Sequence, residues 1–464
     1  MSAIEVFFNE FAAFMWGKPL VALIVLGGLF FMLYSRFLPY KYLPHAIDIL
    51  RGKYNKAGGH GDISHFQALA TALSGTLGLG NITGVALAIT IGGPGAVFWM
   101  WVTAIVGMAT KFFTASLAIM YRGYDSKGHL QGGPMYVIRE GLGRKWIPLA
   151  ILFAFAGLMG TLPVFQINQL IQIIRDMVAV PAGLTSADDH FLFDLIAGLL
   201  MAGLVLAIIS GRIQRIADVT SRLVPLMVVF YVVMTTILLV MYAENIPEML
   251  TLIVTDAFSG KAAAGGAVGA VILIGVQRGA FSNEAGIGTE SLAHGAAKTD
   301  YPTREGLVAM LGPVIDTLIV CTCTALAILV TGVWQGDANG VSLTGSAFEA
   351  AFPGLGGYLL TVMVFFLAIS TMLSFWYYGS KCTGFLIGAE REHYYVWFYV
   401  ALIVVGAVAS LKAVIGLIDG MYAVMAIPTM TSTLLLAPRV MERARIYFRD
   451  LDKEHERQDR DSSN

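Results

Sequence analysis

The clearest candidates for chemistry lie in residues 74–81, which read Ser-Gly-Thr-Leu-Gly-Leu-Gly-Asn inside an otherwise apolar stretch. Three glycines within six residues disfavour a regular helix. Irregular backbone at membrane depth persists only where it is buried in protein or lines a polar cavity, because unpaired N–H and C=O groups are costly in lipid. An interrupted helix offers free N–H groups to an anion and free C=O groups to a cation. The run therefore predicts a site for small charged solutes.

A second apolar stretch contains another polar interruption, the run 277–288, which includes Arg278 and Glu284. Such a run is too polar to face lipid. Interrupted helices of this kind form the substrate and ion sites of secondary transporters. The two runs together favour a membrane transporter.

The composition is that of a polytopic membrane protein. Of the 464 residues, 57% are hydrophobic and 13% are charged, against about 25% charged in soluble domains. Catalytic and nucleotide-binding motifs are missing, and we expect no enzyme, no cofactor, no nucleic-acid partner and no signal peptide. The cysteines Cys321, Cys323 and Cys382 lack metal or redox spacing and are interpreted as small buried apolar residues.

Apolar runs long enough to cross about 30 Å of hydrocarbon predict an all-α protein with eleven spans. The predicted spans are 19–38, 66–91, 95–121, 146–174, 191–211, 222–243, 264–296, 306–333, 356–388, 394–412 and 415–437.

The interrupted spans are the second and the seventh, so they hold corresponding places in two five-span halves, 66–243 and 244–437. An odd number of spans inverts the second half relative to the first, as in transporters whose interrupted helices meet at the bilayer midplane. The other segments are an extra N-terminal span with a cytoplasmic linker, 1–65, and a charged tail, 438–464, which is predicted to form a short surface helix that frays into disorder.

The basic residues predict the orientation, because lysine and arginine are retained on the cytoplasmic side. With the N-terminus outside, the outer segments hold only Lys18, Arg175, Lys261 and Lys412. The inner segments hold Lys41, Arg51, Lys53, Lys56, Arg122, Lys127, Arg139, Arg144, Lys145, Arg212, Arg215, Arg222, Lys298, Arg304, Lys381, Arg391 and the basic residues of 439–460. We expect a protein of the plasma (inner) membrane with a cytoplasmic C-terminus.

The run 92–107, Gly-Gly-Pro-Gly-Ala-Val-Phe-Trp-Met-Trp-Val-Thr-Ala-Ile-Val-Gly, resembles the signature of the alanine/glycine:cation symporter family. The runs 131–136 and 277–288 also resemble segments of that family, and the likeness extends over about 66–437. The resemblance implies a LeuT-type fold and sodium-coupled uptake of alanine or glycine by alternating access, in which a helical bundle rocks against a scaffold. A monomer is expected.

A small zwitterion needs donors for its carboxylate, acceptors for its ammonium group and a wall that limits its side chain. The predicted carboxylate donors are the N–H groups of Gly78, Leu79 and Gly80, which begin the second half-helix, where the helix dipole favours an anion. The run 77–81 is similar to the substrate-binding break of LeuT-type transporters, and a packing kink is the structural alternative. The same site is assigned the neighbouring residues Gly75, Thr76 and Asn81.

Ser282 and the carbonyl groups freed at the second interruption are the predicted partners of the ammonium group. The run 165–169, Phe-Gln-Ile-Asn-Gln, adds Phe165 and the amides of Gln166 and Gln169, which could reach either end of the substrate. Hydrogen bonding between helices is the alternative role for these amides.

The wall is assigned to Phe281, in the second interruption, and to Trp376. A bulky aromatic residue would admit alanine and exclude larger side chains, although one methylene group changes binding by only about 1–3 kcal/mol. Packing or anchoring at the membrane interface is the alternative role for Trp376.

A sodium site needs hard oxygen ligands. The resemblance to LeuT-type transporters implies carbonyl groups near Ser74 and Leu77, the adjacent hydroxyls of Ser370 and Thr371, and a carbonyl group at Leu367. A lone hydroxyl in a membrane helix usually bonds back to its own helix. Two adjacent hydroxyls opposite an interrupted helix favour an ion site instead.

Charged residues also fall in or beside the predicted spans, namely Lys111, Arg278, Glu284, Glu290 and Asp316. An unpaired charge at the midplane costs at least about 2.5–3.5 kcal/mol, so each needs a partner or water. Arg278 is expected to pair with Glu284 or Asp316. Lys111 is a candidate for a position that binds a second cation in other transporters.

Other functions stay open at this point. A proton-coupled carrier or exchanger of the same fold would use Glu284 or Asp316 as its proton carrier. A channel is disfavoured by interruptions in two inverted halves, since channels tend to show repeated pore-lining filters. A membrane-bound enzyme is disfavoured because no catalytic constellation is found.

Overall fold

The computed structural model describes residues 3–54, 59–186, 188–210, 213–259 and 268–462, and most of them are helical, as predicted. Within these ranges, seven helices are long and apolar enough to cross a membrane. They are Gly95–Met120, Arg144–Ala179, Phe191–Ile209, Ile216–Met241, Pro302–Val330, Gly356–Ile387 and Leu411–Lys453.

Two further candidate spans are bent pairs of helices. Glu5–Met15 and Lys18–Tyr34 meet at 45°, and His65–Thr76 and Gly80–Gly92 meet at 50°. The helix His393–Val408 is apolar but shorter. The count of eleven spans stays a prediction.

Parts of the sequence analysis fall outside the described residues. These are the start of the seventh predicted span, 264–267, and the basic residues Lys56, Arg212 and Lys261.

Shorter elements complete the fold, and they include Val268–Asn283 and Glu290–His294, which lie within the seventh predicted span. The remaining helices are Leu38–Lys41, Leu43–Leu50, Pro134–Tyr136, Ile246–Ser259, Val268–Asn283, Glu290–His294 and Gly340–Ala351. Turns of π-helix occur at Gly80–Gly84, Val137–Leu142, Arg175–Ala179 and Val314–Cys321, and single 3-10 turns at Ala243–Asn245, Val333–Gln335 and Ala389–Arg391. The strands Gly123–Tyr124 and Leu130–Gln131 pair in an antiparallel hairpin.

The helix Ala3–Met15 has no counterpart among the predicted spans. It packs against the last helix, Leu411–Ser462, where the indole Nε1 of Trp16 donates to the carbonyl oxygen of Asp419 at 2.8 Å. This helix was not predicted, because Glu5 and Glu10 interrupt its apolar run. The contacts that stabilise it come from the last helix, which is distant in the sequence.

The charged tail differs from its prediction because it continues the last helix, Leu411–Ser462, without a break. The ring of Tyr42 stacks on Phe448 at 3.9 Å between centroids, and the hydroxyl of Tyr447 bonds to His45 Nε2 at 2.7 Å. These contacts fix the beginning of the tail on the segment that follows the span Lys18–Tyr34.

A capping box defines where the first interrupted span starts. Ser64 Oγ accepts a hydrogen bond from Gln67 N at 3.2 Å, and Gln67 Oε1 accepts one from Ser64 N at 3.0 Å. The helix His65–Thr76 then packs against Gly356–Ile387 and Ile213–Met241, and its second half is fully buried. The interruption at its end therefore lies inside the protein.

Candidate functional site

The first break is the segment 77–79, between His65–Thr76 and the π-helical turn Gly80–Gly84. Leu77 leaves the helical conformation with φ −73° and ψ 77°. All residues from 74 to 81 are buried. The predicted interruption is therefore present, and it lies inside the protein, as irregular backbone in a membrane requires.

The second break is the segment 284–289, between Val268–Asn283 and Glu290–His294. Glu284, Gly286 and Gly288 have φ values of 55°, 86° and 96°. This break is shorter than the predicted interruption 277–288, because its first residues remain helical. Gln277 Nε2 and Arg278 each donate to the Asp419 carboxylate from within the helix, so their polarity does not unwind it. Phe281 and Ser282 consequently lie on the last helical turn and not in the break.

The two interrupted spans meet at the carboxylate of Asp316, in the π-helical turn Val314–Cys321. Asn81 Nδ2 donates to Asp316 Oδ1 at 2.6 Å, and Ser282 Oγ donates to Oδ2 at 2.9 Å. Thr317 Oγ1 also donates to Oδ2, at 2.7 Å. One buried carboxylate thus holds a side chain from each interrupted span. From the sequence, Asp316 was expected as a buried charge, as a partner for Arg278 or as a proton carrier, and its position between the two interrupted spans was not predicted.

Asn81 also stabilises the first break. Its Oδ1 accepts a hydrogen bond from Gly78 N at 3.1 Å, while its own N–H donates to the Gly78 carbonyl at 3.2 Å. The N–H group of Gly78, predicted to bind a carboxylate, is therefore held by a side-chain amide in this structure.

Cys321 lies at the same meeting point. Its Sγ is 3.1 Å from Ser282 Oγ and 3.4 Å from Asn81 Nδ2. The sequence analysis described this cysteine as a packing residue. It is buried, and it also contacts the two side chains through which the interrupted spans bind Asp316.

An oxygen-rich seam joins the first interrupted span to the helix Gly356–Ile387. Thr371 Oγ1 donates to the Ser74 carbonyl at 2.9 Å, and Ser74 Oγ donates to the Ser370 carbonyl at 2.7 Å. Ser370 Oγ donates to the Leu367 carbonyl at 2.9 Å. The structure therefore brings together the residues that the resemblance implied for sodium.

Leu77 and Leu367 complete that set. Both line a small cavity of about 10 Å³, room for about one water-sized sphere, next to Gly78 and Asn81. The cavity therefore brings Leu77 and Leu367 together beside the first break.

The seam depends on the absence of a side chain at Gly78. A Cβ atom at this position would collide with Thr371 Oγ1. At Gly75, a Cβ atom would be 3.1 Å from the ring of Tyr378. These glycines permit the close approach of two helices and also weaken the helix at the break.

Phe281 lies against Gly80, directly after the first break, and Phe165 packs on Phe281. Their rings meet edge to face, 5.3 Å apart, and a Cβ atom at Gly80 would be 3.5 Å from the ring of Phe281. Phe281 also packs on Tyr422, with 5.3 Å between ring centroids. The side-chain oxygen of Gln166, next to Phe165, is buried and has no hydrogen-bond partner among the described residues.

Gln169 joins helices. Its Oε1 accepts from Thr83 Oγ1 and from Val341 N, both at 3.2 Å, and its Nε2 donates to Gln172 Oε1 at 2.8 Å. This pattern agrees with the alternative of hydrogen bonding between helices, because these bonds occupy the amide.

Trp376 does not lie with the other site residues. It follows Ser374 by two positions, a rotation of about 200° around a helix. Ser374 Oγ donates to the Thr71 carbonyl at 3.0 Å, so that face of the helix points at the first interrupted span. Trp376 points away from it, and the assignment of Trp376 to the wall has no support from this geometry.

Arg278 pairs with Asp419, not with Glu284 or Asp316, so that prediction is wrong. Asp419 lies on the last helix and also accepts from Gln277 Nε2 at 2.9 Å. A partner so distant in sequence left no local signal. Glu284 is held instead by the hydroxyls of Thr289 and Tyr422, the latter at 3.0 Å.

Lys111 and Glu290 lie on the other side of the second break. Thr114 Oγ1 donates to Glu290 Oε1 at 2.8 Å, and Lys111 precedes Thr114 by one helical turn. The Lys111 ammonium group lies 3.2 Å from where a Cβ atom of Gly312 would be. Both residues are buried.

Comparison with known proteins identifies a family and related transporters. The profile described as the sodium:alanine symporter family matches residues 1–461. The chain is 40% identical over 447 residues to the sodium/alanine symporter AgcS of Methanococcus maripaludis, covering 95% of this chain and 96% of that protein. It is 35% identical over 416 residues to the putative sodium/proton-dependent alanine carrier protein YrbD of Bacillus subtilis, covering 85% and 81%.

The fold has a counterpart among solved structures. The crystal structure of MhsT in complex with L-phenylalanine superimposes with a TM-score of 0.52 and 14% identity, covering 83% of this chain and 89% of that one. At this identity the likeness concerns the fold alone, which is the LeuT type.

Proposed function

Because the chain belongs to the sodium:alanine symporter family, we propose that it carries alanine and glycine across the membrane together with sodium. It is a multi-pass transporter of the LeuT-type fold and not an enzyme. The observation that carries the proposal is the meeting of the two interrupted spans on Asp316, through Asn81 and Ser282.

In this proposal, Asp316 supplies the countercharge for the ammonium group of the substrate. A buried carboxylate is stabilised by a cation that it can hydrogen-bond. Ser282 and the unpartnered Oε1 of Gln166 supply further acceptors. The neutral hydrogen bonds that now reach Asp316 are weaker than those from an ammonium group, so the bound substrate would replace part of them.

The substrate carboxylate takes the N–H groups of Leu79 and Gly80, at the start of the second half-helix, where the helix dipole favours an anion. The N–H group of Gly78 joins them when it is released from the side-chain oxygen of Asn81. Phe165 and Phe281 form the wall that limits the substrate side chain, because Phe281 lies against Gly80 and Phe165 packs on Phe281.

Sodium occupies the seam between Ser74 and Thr371, with the carbonyl groups of Leu77 and Leu367 and the hydroxyl of Ser370 as further ligands. Oxygen atoms from the chain and from hydroxyls suit this hard cation. A cation here would hold the first interrupted span against Gly356–Ile387, so sodium binding would favour the conformation in which the substrate site is formed.

We also propose how the rest of the chain is organised. The segment 1–65 is an accessory span with its linker, 66–243 and 244–437 are inverted repeats, and 438–464 is a cytoplasmic tail. The protein acts as a monomer in the inner membrane with an outer N-terminus, and a bundle containing both interrupted spans rocks against the other helices.

The test is uptake of radiolabelled alanine into proteoliposomes with an imposed sodium gradient, repeated with a proton gradient in sodium-free buffer. We expect accumulation driven by sodium and none driven by protons alone. Accumulation driven by protons without sodium would support a proton-coupled carrier and contradict the sodium assignment. Competition by unlabelled glycine tests the substrate range.

A further inference from the structure

A cavity of about 550 Å³ lies where the span Lys18–Tyr34 ends beside the last helix. Its walls include Tyr34, Arg36, Lys41 and Tyr42 from the first of these regions, and Met441 and Arg445 from the second. The cavity is remote in the sequence from both breaks, and the transport mechanism proposed above does not use it.

Its charge has a single sign. Among the described residues that line the cavity, the charged ones are Arg36, Lys41 and Arg445, and all of them are basic. All are exposed, and none forms an ion pair with a described residue. Three cations held around one cavity repel each other, which favours an anionic occupant.

A second, larger cavity of about 770 Å³ provides the contrast. It is lined by Arg122, Arg439 and Arg443, but also by Asp300 and Glu442. The carboxylate groups in its wall offset the positive charge of its arginines. The excess of positive charge is therefore a property of the smaller cavity and not of every cavity near the tail.

The walls of the smaller cavity are held in place. Arg36 and Phe37 have φ values of 52° and 58°, a left-handed conformation that residues other than glycine rarely adopt. The turn is secured on its far side by Tyr40, whose hydroxyl donates to the Ile105 carbonyl at 2.6 Å. Tyr42, on the cavity wall, stacks on Phe448 of the last helix. The basic residues of the cavity therefore belong to segments that are packed against other helices.

An apolar surface adjoins the charged one. Phe30, Leu33 and Phe37 are 42%, 54% and 45% exposed, along the last turns of the span and the turn that follows it. Phe30 stacks on Tyr34, which lines the cavity, with 5.2 Å between ring centroids. Acyl chains can lie along this surface while a headgroup enters the cavity.

We propose that this cavity binds the headgroup phosphate of an anionic phospholipid, with Arg36, Lys41 and Arg445 as its ligands. Arginine and lysine at the boundary of a membrane recognise anionic headgroups, and each adds about a fivefold gain in binding. The adjoining apolar surface selects a lipid over soluble phosphate, since only a lipid contacts both surfaces. The bound lipid links the accessory span to the tail helix.

The experiment is native mass spectrometry of the purified full-length protein, titrated with phosphatidylglycerol or with phosphatidylcholine of the same acyl chains. The wild type should bind phosphatidylglycerol more tightly. Arg445→Gln should weaken that binding about fivefold, and the combination of Arg36→Gln, Lys41→Gln and Arg445→Gln about 100-fold. Phosphatidylcholine binding should change little.

Arg443→Gln is the matched control, because Arg443 is exposed on the same helix but lines the compensated cavities. It should keep the preference for phosphatidylglycerol. Size-exclusion profiles and sodium-driven alanine uptake in phosphatidylcholine vesicles establish that the triple variant is folded. An unchanged preference in the triple variant, or an equal loss in Arg443→Gln, would overturn the proposal. Displacement of phosphatidylglycerol by millimolar inorganic phosphate would identify a soluble anion as the ligand and would overturn the lipid assignment.

Discussion

The two breaks differ in the charge of the residues that form them. The first, at 77–79, is formed by neutral residues and is contacted by carbonyl groups, hydroxyls and the amide of Asn81. The second, at 284–289, begins with Glu284 in a left-handed conformation and is followed directly by Glu290. The first is suited to binding charged solutes because it has no charge of its own to compete with them. At the second, the Glu284 carboxylate is already held by the hydroxyls of Thr289 and Tyr422.

Asp316 connects these regions, and it belongs to neither break. It receives Asn81 from the side of the first break and Ser282 from the helix before the second. The comparison therefore predicts that substitutions at Asp316 impair substrate binding most, substitutions at the first break impair sodium binding, and substitutions before the second break alter selectivity.

Asp316→Asn should have the largest effect. Removal of one charge from a buried charge pair costs enough to weaken alanine binding by about 100-fold or more. Alanine binding to purified protein in saturating sodium measures this effect. Asp194→Asn is the control, because Asp194 is equally buried but pairs with Arg175 at 2.6 Å, away from both breaks. Normal alanine affinity in Asp316→Asn would show that the carboxylate of Asp316 does not bind the substrate.

Thr371→Val should raise the sodium concentration needed for half-maximal alanine uptake by about 10-fold to 100-fold, since a hydrogen-bonding oxygen next to a charge is lost. The sodium dependence of uptake in proteoliposomes measures it. Thr361→Val is the control on the same helix, because its hydroxyl bonds back to Gly357 at 2.7 Å. Equal sodium dependence in the two variants would place the ion elsewhere.

Gly78→Ala should reduce sodium-driven uptake about tenfold and lower the free energy of unfolding by about 1–3 kcal/mol, because the added methyl group displaces the Thr371 hydroxyl. Uptake and thermal unfolding are measured together. Gly203→Ala adds the same methyl group where no described atom outside its own stretch of helix lies within 4 Å, and it should leave both unchanged. Wild-type uptake in Gly78→Ala would contradict the close approach at the first break.

Phe281→Ala should have the smallest effect, a gain of about tenfold in competition by leucine against labelled alanine, because the wall is opened. Trp376→Ala should leave the order of competitors unchanged, since its ring points away from the first interrupted span. The reverse outcome, with leucine admitted only by Trp376→Ala, would restore Trp376 to the wall and remove Phe281 from it.

How much of this was readable from the sequence differs between the breaks. The glycines of 74–81 act locally, so the first interruption was predicted correctly, together with Ser74, Ser370 and Thr371 as neighbours across it. The family and fold followed from the run 92–107. The second break was predicted from polarity and was placed too early in the sequence. The sequence pattern does not show that Arg278 has a partner on another helix, which lets its own segment stay helical.

The missing information was long-range. Asp419 lies in a different span from Arg278, and Asp316 owes its position to side chains from two other helices. The same holds for the tail, whose charges suggested a separate surface helix. Contacts such as that between Tyr42 and Phe448 attach it to the rest of the protein instead.

The most direct test of the central claim is an experimental structure of the protein with alanine and sodium bound. The account predicts the ammonium group within hydrogen-bond distance of Asp316, the substrate carboxylate on the N–H groups after the first break, and the ion between Ser74 and Thr371. Alanine found away from Asp316, with the two interrupted spans contacting each other but not the substrate, would contradict it.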